Sequence, residues 1–138
     1  MKLMRSAFFG LGLLLAVSAA QAQDARVKAN IPFDFVVGDR VMPAGEYTLE
    51  PAGSLGQAIT IRSGESADMA LTSRCAASGP SKSTKMVFHT LGGRYFLSQI
   101  WVEGYSQGRQ LRASKLEVQL AKNSDAAKDV VIAANITR

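Results

Sequence analysis

The chain has a single cysteine, a single histidine and a single tryptophan among 138 residues. One cysteine, Cys75, excludes an intramolecular disulfide, and its neighbours mark it as an incidental thiol at a strand end. One histidine, His89, excludes a His-rich metal site. Neither an HExxH nor a CxxC pattern is present, so no metal or other cofactor is expected. No GxSxG elbow accompanies His89 to suggest a nucleophilic triad with Ser98 and Glu103. His89 is expected instead at the surface or an interface, at a strand end. Glycine-rich phosphate loops and DxDxDG calcium loops are also missing.

Long apolar runs are missing too, except at the start. Lys2 and Arg5 precede the apolar stretch 8–17, and Ala20-Gln21-Ala22 supplies the small residues that a signal peptidase requires. The stretch is shorter than the roughly 20 residues of a membrane span. Residues 1–22 therefore read as a secretory signal peptide, with 23–138 as a single mature β-rich domain carrying no transmembrane segment. The expected location is secreted or periplasmic. Without Lys2 and Arg5, the 16 basic residues fall to 14 against 11 acidic ones, a balance of +3. These charges are dispersed, and nucleic-acid binding is not expected.

What is present is alternation with a period of two. Val27, Ala29, Ile31, Phe33, Phe35 and Val37 face one way, with polar residues between them and Val36 as the exception. Pro32 removes a ladder donor and argues for an edge or a bulge there. Gly38-Asp39 and Pro43-Ala44-Gly45 are turns. Tyr47 and Leu49, Ile59 and Ile61, and Met69 and Leu71 are the apolar faces of three further strands. The stretch 76–85 is rich in Ser, Gly, Pro and Lys, and reads as the longest loop. Gly92-Gly93 suits a type I′ hairpin between strands 86–89 and 94–102. The second of these strands is apolar on both faces and is the candidate central strand. Ser114-Lys115-Leu116-Glu117 matches a capping box opening a short helix. Val130, Ile132, Ala134 and Ile136 line a last strand.

Seven or eight short strands with turns every 8–12 residues predict a single-domain antiparallel β-sandwich or partly open barrel with one short C-terminal helix. The candidate ligand-binding residues are Tyr95, Trp101 and Tyr105. The first two share a parity along one strand and would form an aromatic platform if that face were open. The candidate carboxylates Asp34, Asp39, Glu46, Glu50 and Glu103 sit where solvated or turn residues sit.

Ile31-Pro32-Phe33-Asp34-Phe35-Val36-Val37-Gly38, followed by Pro43-Ala44-Gly45-Glu46-Tyr47, resembles an IPFxFxVG strand leading into a PAGxY turn. That pattern belongs to a family of short exported bacterial proteins. Lys85 to His89, Arg94 to Trp101, and the helix start near Arg109 to Glu117 resemble the same family. The resemblance implies export and a β-rich fold, and brings no catalytic or binding residue. The expectation is an exported, non-enzymatic envelope protein that binds a glycan or a protein or self-associates. The alternatives are a small secreted hydrolase using Asp34 or Glu103, and a small-ligand carrier with a barrel cavity.

Overall fold

The computed structural model describes residues 26–53, 57–64, 66–123 and 128–137. The stretch 1–22, read above as a signal peptide, lies outside them. The strands are β1 (Arg26–Ile31), β2 (Phe35–Val37), β3 (Arg40–Met42), β4 (Gly45–Ala52), β5 (Ala58–Ser63), β6 (Ser66–Ala76), β7 (Lys85–Leu91), β8 (Arg94–Trp101), β9 (Gln107–Leu111), β10 (Lys128–Ala133) and β11 (Asn135–Thr137). Among the described residues one helix, α1 (Lys115–Asn123), precedes β10. Strand pairing runs β10-β7-β8-β9-β6-β5-β4-β1-β11, with β2 and β3 attached to β8. The protein is mainly β, a sandwich with a short C-terminal helix whose ladder does not close into a barrel.

The layers are joined at two places, along β6 and at the β10–β11 connection. The first half of β6 pairs with β5, and its second half, from Thr72, pairs with β9. At the other side, β10 pairs with β7 in one layer while β11 pairs with β1 in the other, across the single residue Ala134. Strands that switch layers in this way form the corners of a sandwich.

The strand count exceeds the expected seven or eight because the first alternating run breaks in two, the last strand divides at Ala134 into β10 and β11, and β9 is an additional strand. Val27, Ala29 and Ile31 are buried in β1. At Pro32 the chain leaves that layer, and Phe35 to Val37 joins the other one beside β8. Pro32 follows a strand that pairs with β4 up to Ile31 but with β11 only from Arg26 to Lys28, so the end of β1 beside Pro32 has one open side among the described residues, as the missing donor led us to expect. The β2–β8 pairing is parallel, the one departure from an antiparallel arrangement among the described strands. Val36, the exception to the alternation, points to the outer face and is covered by Leu116 and Leu120 of α1.

Between the layers the rings of Phe33, Phe35, Tyr47 and Phe88 interlock. Phe35 meets Tyr47 edge-on at 5.0 Å, and Phe33 meets Phe88 edge-on at 5.0 Å. Such pairs contribute about 0.5–1.5 kcal/mol each beyond area burial. Ile31, Ile61 and Met86 complete a packed interior.

The turn motifs close on one another. Tyr47 Oη donates to Pro43 O at 2.6 Å, and Ala44 N–H donates to Asp34 Oδ1 at 2.8 Å. Asp34 of the IPFDF segment and Tyr47 of the PAGEY segment thus hold one loop between them. The Tyr47 bond back to a carbonyl four residues upstream is the same device as a tyrosine corner in other sandwiches.

Candidate functional site

The aromatic platform does not assemble. A β-bulge separates its members: Val87 pairs with Gln99 and Phe88 with Leu97, leaving Ser98 as the extra residue. A bulge reverses which face later residues point to. Tyr95 and Leu97 therefore face the interior, where Tyr95 stacks on Phe33 at 3.8 Å. Phe96, Gln99 and Trp101 face outward. Trp101 is nevertheless buried, at 9 % exposure, with its ring over Gly108 and its Nε1–H donating to Gln99 Oε1 at 3.0 Å. Tyr105 is 59 % exposed, on the turn between β8 and β9. The shared parity of Tyr95 and Trp101 is thus cancelled by one inserted residue, which nothing in the local sequence announces.

The Ser- and Pro-rich stretch is likewise no free loop. Ser81 N–H donates to Tyr105 O and Gly104 N–H to Ser81 O, both at 2.9 Å. Glu103 N–H donates to Thr84 Oγ1 at 3.0 Å, and Thr84 is buried.

His89 is half-buried in β7, not at an open surface. Its Nδ1 lies 3.0 Å from Glu117 Oε1 on α1, and its Nε2 lies 3.4 Å from Asp129 Oδ1 on β10. The Nδ1–Glu117 hydrogen bond ties α1 to the sheet, and the ring lies beside the exposed carboxylate of Asp129. The expected N-cap is present: Ser114 Oγ accepts from Glu117 N–H at 3.1 Å. The Glu117 carboxylate turns to His89.

Three of the five candidate carboxylates have structural partners. Asp34 holds Ala44, Glu46 pairs with Lys28 at 2.9 Å, and Glu50 pairs with Arg26 at 3.3 Å. Asp39 and Glu103 lie exposed in turns. Among the described residues, no group of three or more His, Cys, Asp or Glu could hold a metal ion. Burial pushes the Cys75 thiol pKa up, partly offset by a hydrogen bond from the Gly108 backbone.

The surface that stands out is on β6. The sequence alternation there offers Met69 and Leu71 as the apolar, core-facing set. The structure inverts it: Met69 is 68 % exposed and Leu71 71 %. The cause is register. The tight connection between Ser63 and Ser66 sets Ile61 opposite Asp68 and Ile59 opposite Ala70. Ile59 and Ile61 are in the core, and paired residues share a face. Asp68 and Ala70 must then point inward, with Met69 and Leu71 outward beside Thr60 and Ala58. Asp68 is balanced by an ion pair to Arg40 of β3.

Met69 and Leu71 are successive residues on one face of a strand, about 7 Å apart. The other exposed apolar residues, such as Val118 on α1 and Val131 on β10, stand on other elements. Towards β1 and β4 the same outer face turns polar, forming a shallow depression lined by Arg26, Glu46, Thr48, Glu50, Arg62 and Gly64. An apolar stripe rimmed by charged groups is the composition of an interaction surface. No family model, curated protein or solved structure matches the chain.

Proposed function

We propose that the protein is an exported, non-enzymatic module of the cell envelope that works through protein contact, as a binding or assembly subunit. The observation that carries this reading is the outward placement of Met69 and Leu71 on β6. Two large apolar side chains in water on adjacent same-face positions cost roughly 1.5–3 kcal/mol each in forgone burial. Contact with a partner recovers that burial. The signal-like residues 1–22 support export, and the structural employment of His89, Asp34, Glu46 and Glu50 supports a role without catalysis.

The test is expression of the full-length chain with a photo-activatable residue at Leu71, compared with one at Val118, which is 45 % exposed on α1. The expected result is a processed chain beginning at Gln23 outside the cytoplasm, with discrete cross-links from position 71 and none from 118. An unprocessed cytoplasmic chain, or no cross-link from position 71, overturns the reading.

A further inference from the structure

The half-strand Ser66–Leu71 pairs with β5 along one edge. Among the described residues nothing pairs along its other edge, because β9 takes up pairing only from Thr72. Unpaired N–H and C=O groups template another strand, and natural edges are ordinarily guarded by Lys, Pro, a bulge, a covering element or an inward-pointing charge. The segment Ser66-Ala67-Asp68-Met69-Ala70-Leu71 contains neither Lys nor Pro. Its single charge, on Asp68, is neutralised by Arg40 and lies on the face opposite Met69. Resting on the assembly reading above, we propose that the partner at this edge is a second copy of the same chain. The two copies pair antiparallel through Ala67 to Leu71 about a two-fold axis at Met69.

The register follows from elimination. A two-fold axis perpendicular to the sheet keeps each side chain on its own face, so the residue at the axis meets its own copy. Centring on Asp68 opposes two carboxylates, which is unfavourable. Centring on Ala70 requires Asp68 to face Thr72, whose pairing β9 already holds. Centring on Met69 uses open residues alone: Met69 meets Met69, Ala67 meets Leu71, and Asp68 meets Ala70. No like charges are opposed on either face. The two Met69 and two Leu71 side chains then form one apolar cluster on the outer face, and the sheet runs on across the dimer. The interface is isologous, with the same segment used by both copies.

Sedimentation velocity across a concentration series, on chain purified after export from its full-length precursor, tests this directly. A monomer–dimer equilibrium is expected. Met69→Lys places two ammonium groups face to face at the axis and weakens the dimer about tenfold or more. In a Cys75→Ser background, Met69→Cys treated with a mild oxidant such as oxidised glutathione forms a covalent dimer, since the Cα atoms of directly opposed cross-strand residues lie about 4.5–5.5 Å apart, within disulfide range. Arg62→Cys in the same background, on the neighbouring strand, does not. Urea unfolding of each variant verifies that it is folded. A chain that stays monomeric at every concentration overturns the proposal, as does Met69→Cys cross-linking no better than Arg62→Cys. A monomer whose Leu71 photoprobe joins a different protein sinks the self-pairing and leaves the assembly reading standing.

Discussion

Gly108 is where a single methyl group has the most to disturb. It is buried in β9, opposite Trp101 of β8, and its φ is not positive, so the backbone accepts alanine. With no other effect, Gly108→Ala would stabilise the protein by about 0.4–1 kcal/mol through the unfolded chain. The added Cβ, however, would stand 2.8 Å from two Trp101 ring carbons and 2.9 Å from Ile100 O. A fused ring and a backbone carbonyl inside a sheet have little room to yield. Overpacking of this kind costs about 1–3 kcal/mol, which exceeds the entropic gain. The expected net loss is about 1–2 kcal/mol, or several degrees in Tm for a domain of this size. Urea unfolding followed by the emission of Trp101, the only tryptophan, reads both stability and the ring's surroundings. Gly79→Ala is the matched control: its φ is not positive and its Cβ would meet nothing within 4 Å. It is expected to be neutral or slightly stabilising. Gly108→Ala as stable as the parent, with unchanged emission, refutes the placement of Trp101 on Gly108.

Two further outcomes follow from buried groups. Burial raises the Tyr47 pKa, opposed by a Ser63 hydrogen bond and aided by the Asp34 and Asp68 charges. The folded chain thus holds this proton more tightly than the unfolded one. The associated stability is fully present below pH about 10 and is lost as pH rises through the folded value. Tyr47→Phe should cost about 0.5–1.5 kcal/mol at neutral pH and flatten the alkaline decline, as measured by denaturant titration at each pH. A parallel decline in both proteins contradicts the assignment. Cys75, with its pKa also raised by burial, should be alkylated more slowly than free glutathione at mildly alkaline pH. Faster alkylation would mean an activated thiol.

How much of this was legible in the sequence depended on how local each determinant is. The alternation at Val27 to Val37 and the Tyr47/Leu49 pair read correctly because burial and periodicity agree there. Gly92 and Gly93 sit at φ 57° and 75°, as a type I′ turn requires. The Ser114 N-cap is a four-residue signal and was visible as such. The bulge at Ser98 was not visible, because it is defined by pairing with β7, and it dispersed the Tyr95/Trp101 platform. The β6 inversion failed for the same reason. Hydrophobicity alone selects Met69 and Leu71 for the core, whereas the β5 register selects Asp68 and Ala70. The partner of Asp68 that makes this tolerable, Arg40, lies 28 residues away in the chain. The candidate surface is thus the place where local pattern and non-local pairing disagree.

The double variant Met69→Ser/Leu71→Ser tests that disagreement most directly. If both side chains stand in water for contact rather than folding, monomer stability by urea unfolding stays within about 0.5 kcal/mol of the parent. Self-association and cross-linking through β6 are lost. A loss of about 4 kcal/mol or more, the scale of two buried side chains removed from a core, would contradict the account. It would put Met69 and Leu71 back inside the sandwich.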